Sequence, residues 1–206
     1  MDTSGSDGGG SLRLFVAVEM PLDVKRALES TIASLRPALA SDALRWVRVE
    51  SIHVTLKFLG SVAAERVGAI EVALRDATAA AAPFELKPTG IGSFGGSGGL
   101  RVVWVGIDGE IEQLASLAER VEAAIGPLGF ARARRPFAAH LTLARVREDA
   151  SRDERSRLYE LLAHLAPPAL PSFRVDHISL MRSTLSRGGA TYNSLSTYAL
   201  AGEDAS

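Results

Sequence analysis

Several absences limit what this chain of 206 residues can do. It contains no cysteine, which excludes disulfides and thiol chemistry and suits a reducing cytoplasm. No apolar run approaches the roughly 18 residues of a membrane-spanning helix. Residues 1–10 are polar and glycine-rich, without the basic and apolar segments of a secretory signal. We therefore expect a cytoplasmic protein without a membrane partner.

Charge of one sign is also lacking, because the net charge is only −1. The surface as a whole cannot attract nucleic acid, so any binding of RNA needs a local basic cluster. Hydrophobic residues make up 47% and charged residues 23%, as in an ordinary globular domain. We expect one domain over residues 11–201, with a disordered tail at 1–10 and a frayed tail at 202–206.

One short motif occurs twice. His53-Val54-Thr55-Leu56 is the first copy, and His140-Leu141-Thr142-Leu143 is the second. In a strand, residues two apart share a face, so each copy should present an imidazole beside a hydroxyl and bury two aliphatic side chains. Two imidazoles across a cleft could supply one proton donor and one proton acceptor near neutral pH.

Strands and helices alternate along the chain. The motif strands are predicted at about 52–58 and 138–146, and Gly60 is expected to break the first. A helix should open at Pro21 and end at Pro37, and another should run from Ser151 to about 165. The second half repeats this plan, with one motif in each half. The pattern indicates two related α+β lobes with a cleft between them.

The two motifs resemble those of the 2H phosphoesterase superfamily, in particular its RNA 2′,3′-cyclic phosphodiesterases, first described as 2′-5′ RNA ligases. The resemblance covers about residues 12–200. Its further segments are 13–18 (RLFVAV), 44–47 (LRWV), 53–60 (HVTLKFLG), 135–137 (RPF), 140–145 (HLTLAR), 181–183 (MRS) and 188–192 (GGATY). Ala139 departs from the proline that many members carry before the second histidine, but no reactive group is lost.

This resemblance implies the fold and the reaction. The fold would be α+β, with two pseudo-symmetric lobes, each an antiparallel sheet with outer helices, around a central cleft. The reaction would be hydrolysis of RNA 2′,3′-cyclic phosphate ends to 2′-phosphates. His53 would protonate the leaving O3′ and His140 would activate water, while Thr55 and Thr142 would hold the phosphoryl oxygens. No cofactor or metal is expected, and we expect a monomer.

Basic residues near the motifs are candidates for binding the substrate. Lys57 shares the face of His53 by strand parity, whereas Arg145 has the opposite parity to His140 and needs a bend after Ala144 to reach the cleft. Arg135 lies just before the second motif strand. The remaining candidates are Arg132 and Arg134 in the same segment, and Arg182 and Arg187 beside a loop that the resemblance implies near the substrate.

Two other functions stay open at this point. One is ligation or cleavage of 2′-5′ RNA linkages, and the other is non-catalytic binding of nucleotides or RNA. An ATP-driven ligase is disfavoured because no Walker-type phosphate loop is present. His164 and His177 lack a threonine two residues later and are interpreted as structural. Without cysteine or a close histidine pair, a zinc site is also disfavoured.

Overall fold

The computed structural model describes residues 10–96, 98–186 and 189–202, with only the backbone for 185, 186 and 189. The expected N-terminal tail before Gly10, the C-terminal tail from 203 onward and Arg187 lie outside these residues. The elements of the first half are β1 (Ser11–Glu19), α1 (Leu22–Ala38), β2 (Leu44–Trp46), β3 (His53–Ala63), α2 (Val67–Ala79) and β4 (Phe84–Phe94). Those of the second half are β5 (Val102–Gly109), α3 (Ile111–Ile125), β6 (His140–Val146), α4 (Arg152–Leu162), β7 (Phe173–Val175), β8 (His177–Ser186) and β9 (Gly189–Ala199).

The strands of the described residues form two sheets. One has four strands in the order β3-β1-β8-β9, and the other has five in the order β2-β6-β5-β4-β7. Every described strand pair is antiparallel. The expected α+β fold with two antiparallel sheets is confirmed.

The lobes are not the two halves of the sequence, which corrects the expectation of a plan repeated in order. The last two strands return to the first sheet, where β8 pairs with β1. Conversely, β2 lies early in the chain but pairs with β6 of the second sheet. The two sheets are therefore tied together by chain crossings at both ends of the sequence.

The helices pack by the apolar stripes that the sequence shows. Val24, Leu28, Ile32 and Leu35 of α1 are buried at spacings of three and four residues. Equivalent stripes of α2 and α3 join them in one hydrophobic core that also takes residues from both sheets. A smaller cluster holds α4 against the second sheet. Among the described residues, no helix is long and apolar enough to span a membrane.

Several element boundaries differ from the expected ones. Helix α1 runs through Pro37 to Ala38, and α4 ends at Leu162, three residues early. Strand β6 begins at His140, two residues later than expected. Gly60 does not end the first motif strand: it adopts φ 75° within β3, which continues to Ala63. Glycine tolerates this left-handed backbone, so the strand bends there without ending.

Candidate active site

The two motifs meet where the sheets approach each other. Strand β3 is the edge strand of the first sheet, and β6 lies next to the three-residue strand β2 near the edge of the second. His53, Thr55, His140 and Thr142 are all half-buried, whereas the aliphatic residues between them are buried. His140 is close enough to His53 to lower the pKa of His53 electrostatically. The structure therefore brings both histidines to one cleft, as the sequence predicted.

Both imidazoles are held in the same way. Nδ1 of His53 lies 2.9 Å from the carbonyl oxygen of Ser51, and Nδ1 of His140 lies 2.7 Å from that of Ala138. A carbonyl can only accept a hydrogen bond, so Nδ1 must donate in each ring. Nε2 is then left as the reactive atom. It accepts a proton when the ring is neutral and donates one when the ring is charged.

The threonines provide the other polar groups of the motifs. No described residue makes a side-chain hydrogen bond with Thr55 or Thr142. Each hydroxyl shares its strand face with a histidine and is half-buried. Both hydroxyls are therefore available to donate to an oxyanion in the cleft.

Aromatic rings surround His53 much more closely than the sequence suggested. The Phe15 ring stacks on the imidazole at 4.7 Å between centroids, and the Tyr192 ring meets it edge-on at 5.1 Å. This burial lowers the pKa of His53 to about 4, because a charged ring would lose its hydration. At neutral pH the free protein therefore holds His53 in its neutral form.

Two charged residues change the pKa of His53. Glu19 stands directly opposite His53 in the β1–β3 register and raises its pKa, whereas Arg145 lowers it. The Glu19 carboxylate accepts a hydrogen bond of 2.5 Å from the hydroxyl of Ser179, a fully buried residue. Sequence reasoning missed Phe15 and Glu19, although their spacing of four residues along β1 places them on one strand face.

His140 has a different environment. The Phe94 ring meets its imidazole edge-on at 4.8 Å, and Phe94 in turn packs against Trp104 at 5.4 Å. Neither aromatic residue was predicted from the sequence. The two motifs thus place identical side chains in unlike surroundings. Only His53 has a stacked ring and a carboxylate directly opposite it.

An irregularity at the last residue of each motif changes which residues face the cleft. The β1–β3 register skips Leu56, and the β5–β6 register skips Leu143, the equivalent position of the second copy. Such a bulge places two consecutive residues on the same side and reverses the alternation beyond them. Phe58 and Arg145, which stand at equivalent positions, consequently become exposed on the strand faces that carry the histidines.

Arg145 therefore reaches the cleft by a bend at Leu143, one residue earlier than the sequence analysis required. Phe58 was missed altogether. It pairs with Phe15 in the β1–β3 register, its ring lies 6.1 Å from that of Phe15, and it is 72% exposed. An aromatic side chain so exposed beside a histidine is a surface on which another ring could stack.

The prediction that Lys57 faces the cleft is wrong. The bulge turns its side chain into the protein, where it is 3% exposed. Nζ donates to Oε2 of Glu122 on α3 and to the carbonyl oxygen of Ala131, both at 2.6 Å. Glu122 also accepts from the amide of Ala133. The lysine therefore joins the first motif strand to α3 and to the segment that leads to His140.

The arginine candidates lie at different places. Arg135 and Arg145 line one cavity beside His140. Arg132 is exposed and forms an ion pair with Glu119, and Arg134 is also exposed. Arg182 pairs with the core residue Leu14 in the β1–β8 register, whereas its neighbour Met181 packs on Phe15 in the cleft. Arg182 therefore projects from the opposite face of the sheet, which corrects its expected place near the substrate.

The other histidines lie outside the cleft. His177 makes a hydrogen bond with the Asp176 carboxylate on the surface, and His164 follows the end of α4. Within the described ranges, no group of three or more His, Cys, Asp or Glu side chains could hold a metal ion.

The cleft defines a class: a two-lobed α+β protein with a pair of Nδ1-anchored histidines and two threonines. A profile of the 2′-5′ RNA ligase superfamily matches residues 24–187. This chain belongs to that superfamily.

Named relatives and solved structures agree with this membership. A protein of Methanothermobacter thermautotrophicus named RNA 2′,3′-cyclic phosphodiesterase is 32% identical over 92% of this chain and 99% of its own. The protein of the same name from Escherichia coli is 29% identical over 91% and 96%. Escherichia coli LigT complexed with 3′-AMP superposes with a TM-score of 0.74 at 27% identity, covering 93% of this chain and 99% of that one. A protein of Thermus thermophilus gives a TM-score of 0.77 at 28% identity, covering 94% and 100%.

The aromatic enclosure of His53 predicts how its titration responds to mutation. In the wild type, an NMR titration of the His53 imidazole should show a midpoint at about pH 4. Tyr192→Ala removes the edge contact and lets water reach the ring, so the midpoint should rise toward the ordinary value near 6.5. Tyr159→Ala, which removes an exposed tyrosine of α4, is the matched control. A Tyr192→Ala midpoint equal to that of the wild type would show that the tyrosine does not shield the ring.

The buried ion pair predicts a stability effect. Lys57→Met leaves the Glu122 carboxylate buried without its partner and should lower the free energy of unfolding by about 3–5 kcal/mol, measured by urea denaturation. The double variant Lys57→Met/Glu122→Leu removes both charges and should recover most of this loss. Arg147→Ala breaks the exposed pair with Asp149 and should lower the free energy of unfolding much less, because solvent screens exposed charges. Equal losses from Lys57→Met and Arg147→Ala would contradict the assignment of the buried pair.

Proposed function

We propose that this protein hydrolyses 2′,3′-cyclic phosphate ends of RNA to 2′-phosphates. The observation that carries the proposal is the pair of histidines whose Nδ1 atoms are bound to backbone carbonyls, which leaves both Nε2 atoms free to exchange protons in one cleft. The names of the relatives support the same reaction. Both proton transfers are assigned to side chains, so no metal is required.

The proposed reaction is a single displacement at phosphorus. His140 Nε2 takes a proton from water as the water oxygen forms its bond to phosphorus. The bond from phosphorus to O3′ breaks, and His53 Nε2 gives its proton to O3′. Thr55 and Thr142 hydroxyls and the Arg145 guanidinium would stabilise the charge on the phosphoryl oxygens. The product carries a 2′-phosphate and a free 3′-hydroxyl.

This assignment requires His53 to gain a proton when the substrate binds, because the free ring is neutral at pH 7. An anionic phosphodiester beside the ring favours the charged form, and the Glu19 carboxylate opposite it acts in the same direction. The negative charge of the substrate thus offsets the loss of hydration that lowers the pKa of His53. Phe58, on the same face, would stack the base of the terminal nucleotide.

Replacement of the histidines tests the reaction directly. His53→Ala and His140→Ala should each lower kcat by about 10²–10⁴-fold on an RNA with a 2′,3′-cyclic phosphate, assayed after chelation of metals with identification of the end produced. His177→Ala, on the surface, should leave kcat unchanged. A 3′-phosphate product would refute the proposed regiochemistry. Single variants that fold and keep wild-type kcat would contradict the two-histidine mechanism. Binding without turnover in the wild type would favour a nucleotide-binding module, and joined RNA strands would favour a 2′-5′ ligase.

The exposed phenylalanine predicts an effect on binding. Phe58→Ala should raise KM about 5–100-fold because one base loses its stacking surface, while kcat changes little. Phe58→Trp, which retains a ring, should preserve KM. Leu195→Ala, at an exposed apolar residue of β9, is the control for loss of surface hydrophobicity. If Phe58→Ala and Phe58→Trp behave alike in steady-state kinetics, no base stacks on this residue.

A further inference from the structure

A cavity with several charged lining residues opens beside the catalytic cleft. It has a volume of about 840 Å³, and its charged lining residues are Arg101, Arg135, Arg145, Arg155 and Glu148. Four guanidinium groups therefore face one carboxylate around a single space. Such an excess of positive charge in a concave site is suited to an anion.

Three of these arginines have no partner in the described part of the protein. Among the described residues, Arg101, Arg135 and Arg145 make no side-chain hydrogen bond or ion pair, and all three are exposed. Arg155 is different, because its guanidinium donates to the backbone carbonyls of Leu100, Arg147, Glu148 and Ala150. Those partners are neutral, so Arg155 is fixed in place and keeps its positive charge.

Two residues connect the cavity with the histidine pair. Phe94, whose ring touches His140, is also one of its lining residues. Arg145 lines the cavity and at the same time acts electrostatically on His53. A molecule with its reacting phosphate between the two histidines could therefore place a second group in the cavity.

The chemistry of the proposed substrate limits what that group can be. At a 2′,3′-cyclic end, both the 2′ and the 3′ oxygens belong to the reacting phosphate. The remaining position that carries a phosphate is the 5′ oxygen of the same nucleotide. Guanidinium groups bind phosphate oxygens well, often through two parallel hydrogen bonds.

We propose that this arginine cavity binds the 5′ phosphate of the terminal nucleotide, and that the enzyme thereby selects ends with a second phosphate over nucleoside 2′,3′-cyclic phosphates. The inference rests on the proposed function. It assigns Arg101 and Arg155 to substrate recognition, in addition to Arg135 and Arg145. The 5′ group can be a monoester, as in a free nucleotide, or the diester that continues an RNA chain.

Three substrates separate these cases: a nucleoside 2′,3′-cyclic phosphate, the same compound with a 5′-phosphate, and a dinucleotide ending in the cyclic phosphate. For a substrate with a 5′ phosphate group, the wild type should give a kcat/KM about tenfold or more above that for the nucleoside 2′,3′-cyclic phosphate. This is the gain expected of hydrogen bonds to a charged group. A gain with the monoester alone identifies free nucleotides as ligands, and a gain with the dinucleotide identifies the RNA chain. Equal kcat/KM for all three overturns the proposal.

Arg101→Ala tests the cavity itself. It should reduce kcat/KM for the preferred substrate about 10–100-fold, the range for hydrogen bonds to a charged group, and abolish the preference over the nucleoside cyclic phosphate. Arg101→Lys, which keeps the charge, should restore part of the preference. Arg26→Ala, on the exposed side of α1, should behave as the wild type. An Arg101→Ala protein that keeps the wild-type preference refutes the assignment.

A binding measurement separates failure of this inference from failure of the proposed reaction. In His53→Ala/His140→Ala, dissociation constants can be measured for a nucleoside 2′-phosphate and for the same compound with an added 5′-phosphate. The second compound should bind more tightly, and this difference should be lost in the triple variant with Arg101→Ala. That result supports phosphate binding in the cavity even if the wild type hydrolyses none of the three substrates. Equal affinity for both compounds rejects it.

Discussion

The site depends on one constraint of the backbone, the extra residue at the end of each His-x-Thr-Leu motif. A strand with strict alternation would place Lys57 beside His53 and would bury Phe58. Because the register skips Leu56 and Leu143, each strand buries two residues in succession and then exposes the next. Bulges often occur beside active sites for this reason, since they re-aim a side chain without ending the pairing. Here the bulge in β3 exposes the Phe58 ring, and the bulge in β6 exposes the Arg145 guanidinium.

The first bulge also explains the buried lysine. Turning Lys57 inward places an ammonium group in the protein, where an unpaired charge is very costly. Glu122 and the carbonyl oxygen of Ala131 satisfy it, and they belong to α3 and to the segment before β6. The cost of burying the charge is offset by contacts that link the two motif strands. The bulge in β3 thus creates a contact, through Lys57, that helps to fix the position of one motif strand relative to the other.

The sequence was sufficient for the parts of the structure that depend on local patterns. The helix expected from Pro21 is found as α1, and the repeated motif located both histidines and both threonines. The returns of β8 and β9 to the first sheet depend on pairing between distant segments, which periodicity cannot show. The faces of Lys57, Phe58 and Arg182 depend on register, and one skipped residue reverses the face of every later side chain. Lys57, which was predicted wrongly, and Phe58, which was missed, therefore both lie just after the bulge at Leu56.

The pseudo-symmetry of the motifs leaves open which histidine gives a proton and which takes one, and the surroundings must decide. Both rings have the same anchor at Nδ1, so the anchors cannot distinguish them. Phe15 and Tyr192 enclose His53 and disfavour its charge, while Glu19 opposite favours it. Such a ring is neutral in the empty cleft and responds strongly to a nearby anion, because little water is present to screen the new charge. In the proposed reaction, enclosure would make protonation of His53 depend on the bound phosphate, which suits a proton donor that is needed only when the substrate is bound.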